Sequence, residues 1–244
     1  SIVASSEDEN FSYIPEIRSG MIRPDADYFY IVSNNTIYGT RYASFPDTGT
    51  VPLVADMSSN ILSEPVDVSK FGIIFAGAQK NIGPAGLTVV IIRNDLVGNA
   101  PEKLPTMFNY QTHVDARSMF NTPPTYAVYI AGLVFKKLLN DGGLEEMRRY
   151  NVEKSSLLYD FLDESTLFTA TVDKKDRSLM NVPFVTGSSE LDAAFIKAAA
   201  EQGLVNLKGH RSVGGMRASI YNAMPIDGVK KLVEFMKTFE TQQK

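Results

Sequence analysis

The sequence predicts an α/β fold, in which part of a large domain built on a mostly parallel sheet with helices is followed by a small C-terminal α+β domain. Three observations lead there. Short β-branched and aromatic runs of strand length recur through the first hundred residues, separated by polar, glycine-bearing loops. Two stretches of helical apolar period then follow one another between residues 125 and 162. Beyond them, shorter strand and helix patterns alternate to the end of the chain. The division is placed near residue 150, giving 1–149 and 150–244.

Taken in order, residues 1–5 read as the end of a strand, and Glu7, Asp8 and Glu9 as a solvated acidic loop. Residues 27–33 form a strand pattern that runs into the polar loop 34–39. Turn residues at 45–49 lead to a strand at 51–56 that ends on Asp56. Residues 71–75 and 87–93 are two more strands, the second almost continuously apolar, as suits burial on both faces. Asn94 and Asp95 cap a short helical turn, Pro101 to Pro105 mark a surface loop, and His113 stands isolated as a structural or exposed residue. Pro123 and Pro124 open a helix over 125–140, with Ala127, Ile130, Ala131, Val134, Leu138 and Leu139 on one face and Gly142 ready to cap it. The next helix, 144 to about 162, carries Glu145, Glu146, Arg148, Arg149, Glu153 and Lys154, a half-exposed bridge between domains. Residues 168–172 and 180–185 pair as antiparallel strands. Ser188 or Ser189 caps a helix to about Gln202, and 205–208 and 215–221 are further strands. Ile226, Val229, Leu232, Val233, Met236 and Phe239 form the core stripe of a terminal helix.

Composition narrows the function. A net charge of −4 and a pI near 5.3, with no Lys/Arg block, disfavour nucleic-acid binding. No apolar run reaches the roughly 18 residues of a membrane span, and the first residues lack a signal-peptide pattern, so a non-membrane protein is expected. The absence of cysteine excludes disulfides and thiolate chemistry and fits a reducing, cytoplasmic setting. Two histidines, His113 and His210, leave little for a metal centre, and none is expected.

The chemistry concentrates in Phe75-Ala-Gly-Ala-Gln-Lys80-Asn-Ile-Gly-Pro-Ala-Gly86, which sets one lysine among small residues between two strands. A lone lysine at a strand end is usually a solvated charge, and an aspartate there a turn former. Lys80 and Asp56, however, are separated by one loop and one strand, so both can face a pocket from neighbouring strand ends, where open α/β sheets hold ligands. An amine and a carboxylate so paired suit pyridoxal phosphate: the lysine forms a Schiff base with the coenzyme, and the aspartate keeps its ring nitrogen protonated. No phosphate-loop spelling is present.

From Val54 to Arg93, and above all over residues 77–86, the chain resembles the phosphoserine aminotransferase family, class-V enzymes of the fold-type I pyridoxal phosphate group. The resemblance implies that the first part of this chain is the C-terminal portion of that family's cofactor-binding domain. A substantial N-terminal portion, with part of the phosphate cradle and the aromatic stacked on the ring, is expected to be absent. It further implies Lys80 and Asp56 as the catalytic pair, Thr36 at the ring oxygen, and Gln79 at the phosphate. Asn121 and Thr122, which in isolation are only a helix entry, are implied to reach the cofactor phosphate of the second subunit of a homodimer. In the segment Gly209-His-Arg-Ser-Val-Gly-Gly-Met-Arg217 the bland reading is an exposed basic loop. The resemblance instead gives Arg217 the substrate α-carboxylate, and His210 and Arg211 its phosphate or the glutamate side chain, anions that arginine forks match.

The implied activity is transfer of an amino group between glutamate and 3-phosphohydroxypyruvate in serine biosynthesis. A link to pyridoxine biosynthesis depends on phosphohydroxythreonine as a second substrate, which the sequence leaves open. Two alternatives stand beside it: another fold-type I enzyme acting on a small amino acid, since Lys80 and Asp56 select no substrate, and a non-catalytic fragment that needs its N-terminal part.

Overall fold

The computed structural model describes residues 1–18 and 20–243. β1 (Phe29–Val32), β2 (Leu53–Asp56), β3 (Ile73–Gly77) and β4 (Thr88–Ile92) form the first sheet in that order. β1, β2 and β3 are parallel, with Val32 opposite Asp56 and Asp56 opposite Phe75, while β4 returns antiparallel beside β3. The carboxyl ends of three strands therefore share one edge, and the chain leaving them carries Thr36, Asp56 and Lys80. Alternation along β2 and β3 buries Leu53, Ala55, Ile74 and Ala76 with Phe29, Ile31, Ile82 and Ala131 in one apolar core.

After the short helix α1 (Tyr110–Asp115), α2 (Thr125–Asn140) turns at Gly142, whose φ of +103° is natural only to glycine, into α3 (Gly143–Glu164). α3 leads into a second core. There β5 (Thr169–Ala170), β6 (Asn181–Val185) and β7 (Met216–Ser219) form an antiparallel sheet packed with α4 (Ser189–Glu201) and α5 (Ile226–Gln242). Ser188 caps α4 by accepting from the Leu191 amide, as its position predicts. The second core centres on Phe195, whose ring meets Phe168 at 5.0 Å, Phe239 at 5.2 Å and Phe184 at 6.1 Å in edge-on contacts.

Several expectations need correction. Residues 1–5 are not a strand and hydrogen-bond to no described strand. Residues 205–208 form no strand but a single bridge from Lys208 to Met216, because Asn206 adopts φ +63° and breaks the extended backbone. β4 is not buried on both faces: as an edge strand it leaves Val90 and Ile91 36% and 43% exposed. Leu139 does not join the packed face of α2 and is 74% exposed. Lys154, read as part of a solvated charge pattern, is fully buried.

Phe195→Ala empties the centre of the second core and is expected to cost about 3–5 kcal/mol of unfolding free energy. Urea denaturation checks this, and a loss under about 1 kcal/mol would contradict the packing described.

Candidate active site

Thr36 sits in a tight loop after β1. The Asn35 side-chain oxygen accepts from the amides of Ile37 at 3.0 Å and Tyr38 at 3.1 Å, an Asx-type turn. Gly39 closes the loop at φ +77°, and a Cβ there would lie 2.7 Å from Pro183 Cγ, so the β6 backbone can approach only a glycine. Asp56 ends β2, half-buried, its Oδ1 accepting the Ser58 amide at 2.8 Å. Lys80 stands on the turn after β3, closed by Gly83 N donating to Ala78 O at 2.7 Å.

These three loops converge. Lys80 Nζ donates to Thr36 Oγ1 at 2.9 Å, and the Tyr221 ring centroid lies 5.9 Å from the same nitrogen. From β7, Arg217 Nη1 donates to Thr36 O at 3.1 Å, while Arg217 Nε is buried without a hydrogen-bond partner. Tyr221 accepts from Asn181 Nδ2 at 3.1 Å and from Thr36, and burial pushes its phenol up despite those bonds. Burial likewise holds the Lys80 amine below the ordinary lysine range; Asp56 works against that shift and Arg217 reinforces it. An amine so placed gives up its proton more readily than a surface lysine. An orphaned guanidinium N–H beside it is a donor awaiting an acceptor, since buried polar groups are otherwise paired.

The remaining predicted residues lie further out. Gln79 is exposed, and its amide folds back over Gly77, where a Cβ would stand 2.7 Å from Gln79 Oε1. His210 and Arg211 belong to the loop 209–215, closed by Gly209 N donating to Gly215 O at 2.9 Å and joined directly to β7. His210 Nδ1 lies 2.6 Å from Ser212 Oγ, and Arg211 is exposed. Asn121 and Thr122 are exposed ahead of α2, and Asn121 lines a groove with Thr88 and His113 that Lys80 does not line. His113 Nε2 meets Met107 O at 3.0 Å, a local structural contact.

Sequence reasoning passed over Tyr221, Asn181 and Ser58. Tyr221 had a signal, because residues 217, 219 and 221 of an extended segment share one side. Ser58 and Asn181 act through contacts between distant parts of the chain, Ser58 Oγ accepting the Gly77 amide at 3.0 Å, and local pattern does not announce them.

Two charge changes should move the Lys80 amine in opposite directions. Asp56→Asn is expected to lower its pKa further and Arg217→Gln to raise it, read from the pH dependence of acylation at Lys80 in the cofactor-free chain. Shifts of the same sign in both would contradict the geometry.

Comparison with known proteins gives the family of the chain. The class-V aminotransferase family model matches residues 2–232. The phosphoserine aminotransferase of Bacillus cereus is 56% identical over 243 residues, a match that covers 100% of this chain and 68% of that protein. The structure of phosphoserine aminotransferase from Bacillus circulans subsp. alkalophilus superposes with a TM-score of 0.98 at 46% identity, covering 100% of this chain and 68% of that one. A phosphoserine aminotransferase from Trichomonas vaginalis, solved with pyridoxal phosphate bound, gives a TM-score of 0.84 at 42% identity, covering 88% of this chain and 61% of that one. With a family model matched along nearly its whole length and relatives of this identity, the chain belongs to the class-V aminotransferases, in their phosphoserine aminotransferase family.

Proposed function

We propose that this chain carries the lysine-bearing part of a phosphoserine transaminase, which moves an amino group between glutamate and 3-phosphohydroxypyruvate to give phosphoserine and 2-oxoglutarate. The observation that carries the proposal is the convergence on Thr36 of a desolvated Lys80 amine and an Arg217 whose Nε lacks a partner. Pyridoxal phosphate is the cofactor of this family, and the donor set fits it: a lysine amine for the aldehyde, a carboxylate at Asp56 for the ring nitrogen, and Thr36 for the ring oxygen. When bound it supplies an electron-accepting ring.

The residues of the chain do the rest. Lys80 would hold the cofactor through Nζ and, once the substrate amine has displaced it, the freed amine, its proton affinity reduced by burial, would carry the substrate α-proton at that same atom. Asp56 supplies the fixed negative charge. Arg217 turns its unpaired Nε toward the substrate α-carboxylate, and its guanidinium plane sets the substrate's orientation. His210 and Arg211, on a loop continuous with β7, receive the phosphate of one substrate and the side-chain carboxylate of the other. That pair favours a phosphorylated substrate over the small amino acids of other class-V enzymes. Gln79 contributes to the phosphate end of the cofactor.

Asn121 and Thr122 stand away from Lys80 on exposed chain, beside an α2 surface where Tyr126, Tyr129 and Leu133 are solvent-facing. We assign them to the cofactor phosphate of a second copy, which makes the working unit a homodimer. The two apolar cores support two domains meeting near residue 150 within α3. A cytoplasmic location accords with the absence of cysteine from these 244 residues.

Lys80→Ala is expected to abolish both the yellow absorbance of cofactor linked to the lysine and turnover; a variant retaining both would remove Lys80 from its role. Arg217→Lys keeps the charge and loses the fork, so kcat/KM should fall at least tenfold, about 1.4 kcal/mol, in steady-state assays. Unchanged kinetics would reject the carboxylate assignment.

A further inference from the structure

Helix α3 buries a lysine to which the site described above gives no task. Lys154 is 0% exposed, and its Nζ donates not to a carboxylate but to two main-chain carbonyls, Tyr221 O at 2.8 Å and Met224 O at 3.3 Å. The Tyr150 ring centroid lies 4.8 Å from the same nitrogen, and burial pushes the ammonium down to about 8. Burying a cation without an anion is costly, and an apolar side chain of similar length would fill the space without that cost. What the cation holds is therefore informative.

It holds the turn from Tyr221 to Met224. The Tyr150 hydroxyl grips the same turn, donating to Met224 O at 3.1 Å and accepting from Ile226 N at 2.9 Å. Asn222, inside the turn, receives Asn151 Nδ2 at 2.9 Å and donates to Leu62 O at 2.9 Å and, through its amide, to Asn81 Oδ1 at 3.1 Å. Asn81 is the neighbour of Lys80 in sequence. At the head of the turn, Tyr221 places its ring beside Lys80 Nζ and its oxygen on Thr36 and Asn181.

We propose that Lys154 is a positioning residue for the transamination site: by gripping the carbonyls of Tyr221 and Met224, it holds the Tyr221 ring against Lys80 and keeps water from the reactive amine. The inference rests on the reading of Lys80 as that amine. The groups facing Lys80 are Asp56 at the end of β2, Thr36 on the loop after β1, Arg217 on β7 and Tyr221 beyond it. Of these, Lys154 touches only Tyr221. Releasing the turn leaves both nearby charges in place and weakens the desolvation, which is the largest cause of the lowered Lys80 pKa.

The test uses the full chain without cofactor, acylated across a pH series, with modification at Lys80 quantified by peptide mass. In Lys154→Met the midpoint for Lys80 should rise by about half a pH unit or more toward the ordinary lysine value. Lys154→Gln, which keeps a donor, should recover part of that shift. Tyr221→Leu should produce a similar rise, and adding a Lys154 substitution to it should move the midpoint little further, since the two act through one contact. If Lys154→Met does not fold, Lys154→Gln alone and combined with Tyr221→Leu completes the same cycle. A midpoint unchanged from the parent, with only the unfolding temperature reduced, would overturn the proposal and leave Lys154 a structural clamp; fully additive shifts would overturn it as well. Failure of the parent chain to take up pyridoxal phosphate would strike the transaminase reading instead, and the midpoint comparison would still decide the role of Lys154.

Discussion

The molecule is arranged around one hydrogen bond, from Lys80 Nζ to Thr36 Oγ1. It joins the turn after β3 to the loop after β1, and it holds a primary amine where burial lowers its proton affinity while a carboxylate and a guanidinium pull on it in opposite senses. An exposed amine would stay protonated at neutral pH, and burial shifts this one toward its neutral, nucleophilic form. The balance of burial and charge gives a nitrogen that can both bond to a carbonyl carbon and carry a proton.

Two separately packed units are needed to make that balance. The parallel sheet supplies Thr36, Asp56 and Lys80 at neighbouring strand ends, and the antiparallel sheet supplies Arg217 and Tyr221 from its edge. A polar seam fixes the two together: Asn34 Nδ2 donates to Ser59 Oγ at 2.8 Å in one unit and to Asn181 Oδ1 at 3.0 Å in the other. Arg41 and Glu64, both mostly buried and 2.7 Å apart, add an ion pair within the first unit close to this seam. Satisfied buried polar groups of this kind favour one relative placement of two cores, whereas apolar packing alone tolerates sliding. α3 carries the covalent connection and, through Asn151 and Lys154, a second set of bonds to the turn that precedes α5.

Much of this was legible in the sequence because it is local. Strand runs, the glycine-flanked Lys80, Asp56 at a strand end and the helix over 125–140 each depend on a few adjacent residues, and the Arg217 segment advertised its charge. What stayed hidden depends on residues far apart. β4 reads as buried from its apolar content, yet an edge position leaves part of it uncovered. Lys154 reads as surface charge from its helical neighbours, yet its ammonium finds carbonyls some seventy residues away. Asn206 breaks a segment whose composition suits a strand, through a backbone angle that composition does not encode. Asn121 and Thr122 were recognisable as a motif, but a single chain places them far from the residues they are proposed to serve.

The nitrogen at position 80 is proposed to bond covalently to the coenzyme. Incubating the protein with pyridoxal phosphate, reducing with borohydride, and mapping the modified peptide by mass tests it most directly. One dominant phosphopyridoxyl group is expected, on the peptide containing Lys80. Label spread over surface lysines in proportion to their exposure, with Lys80 unmodified, would contradict it.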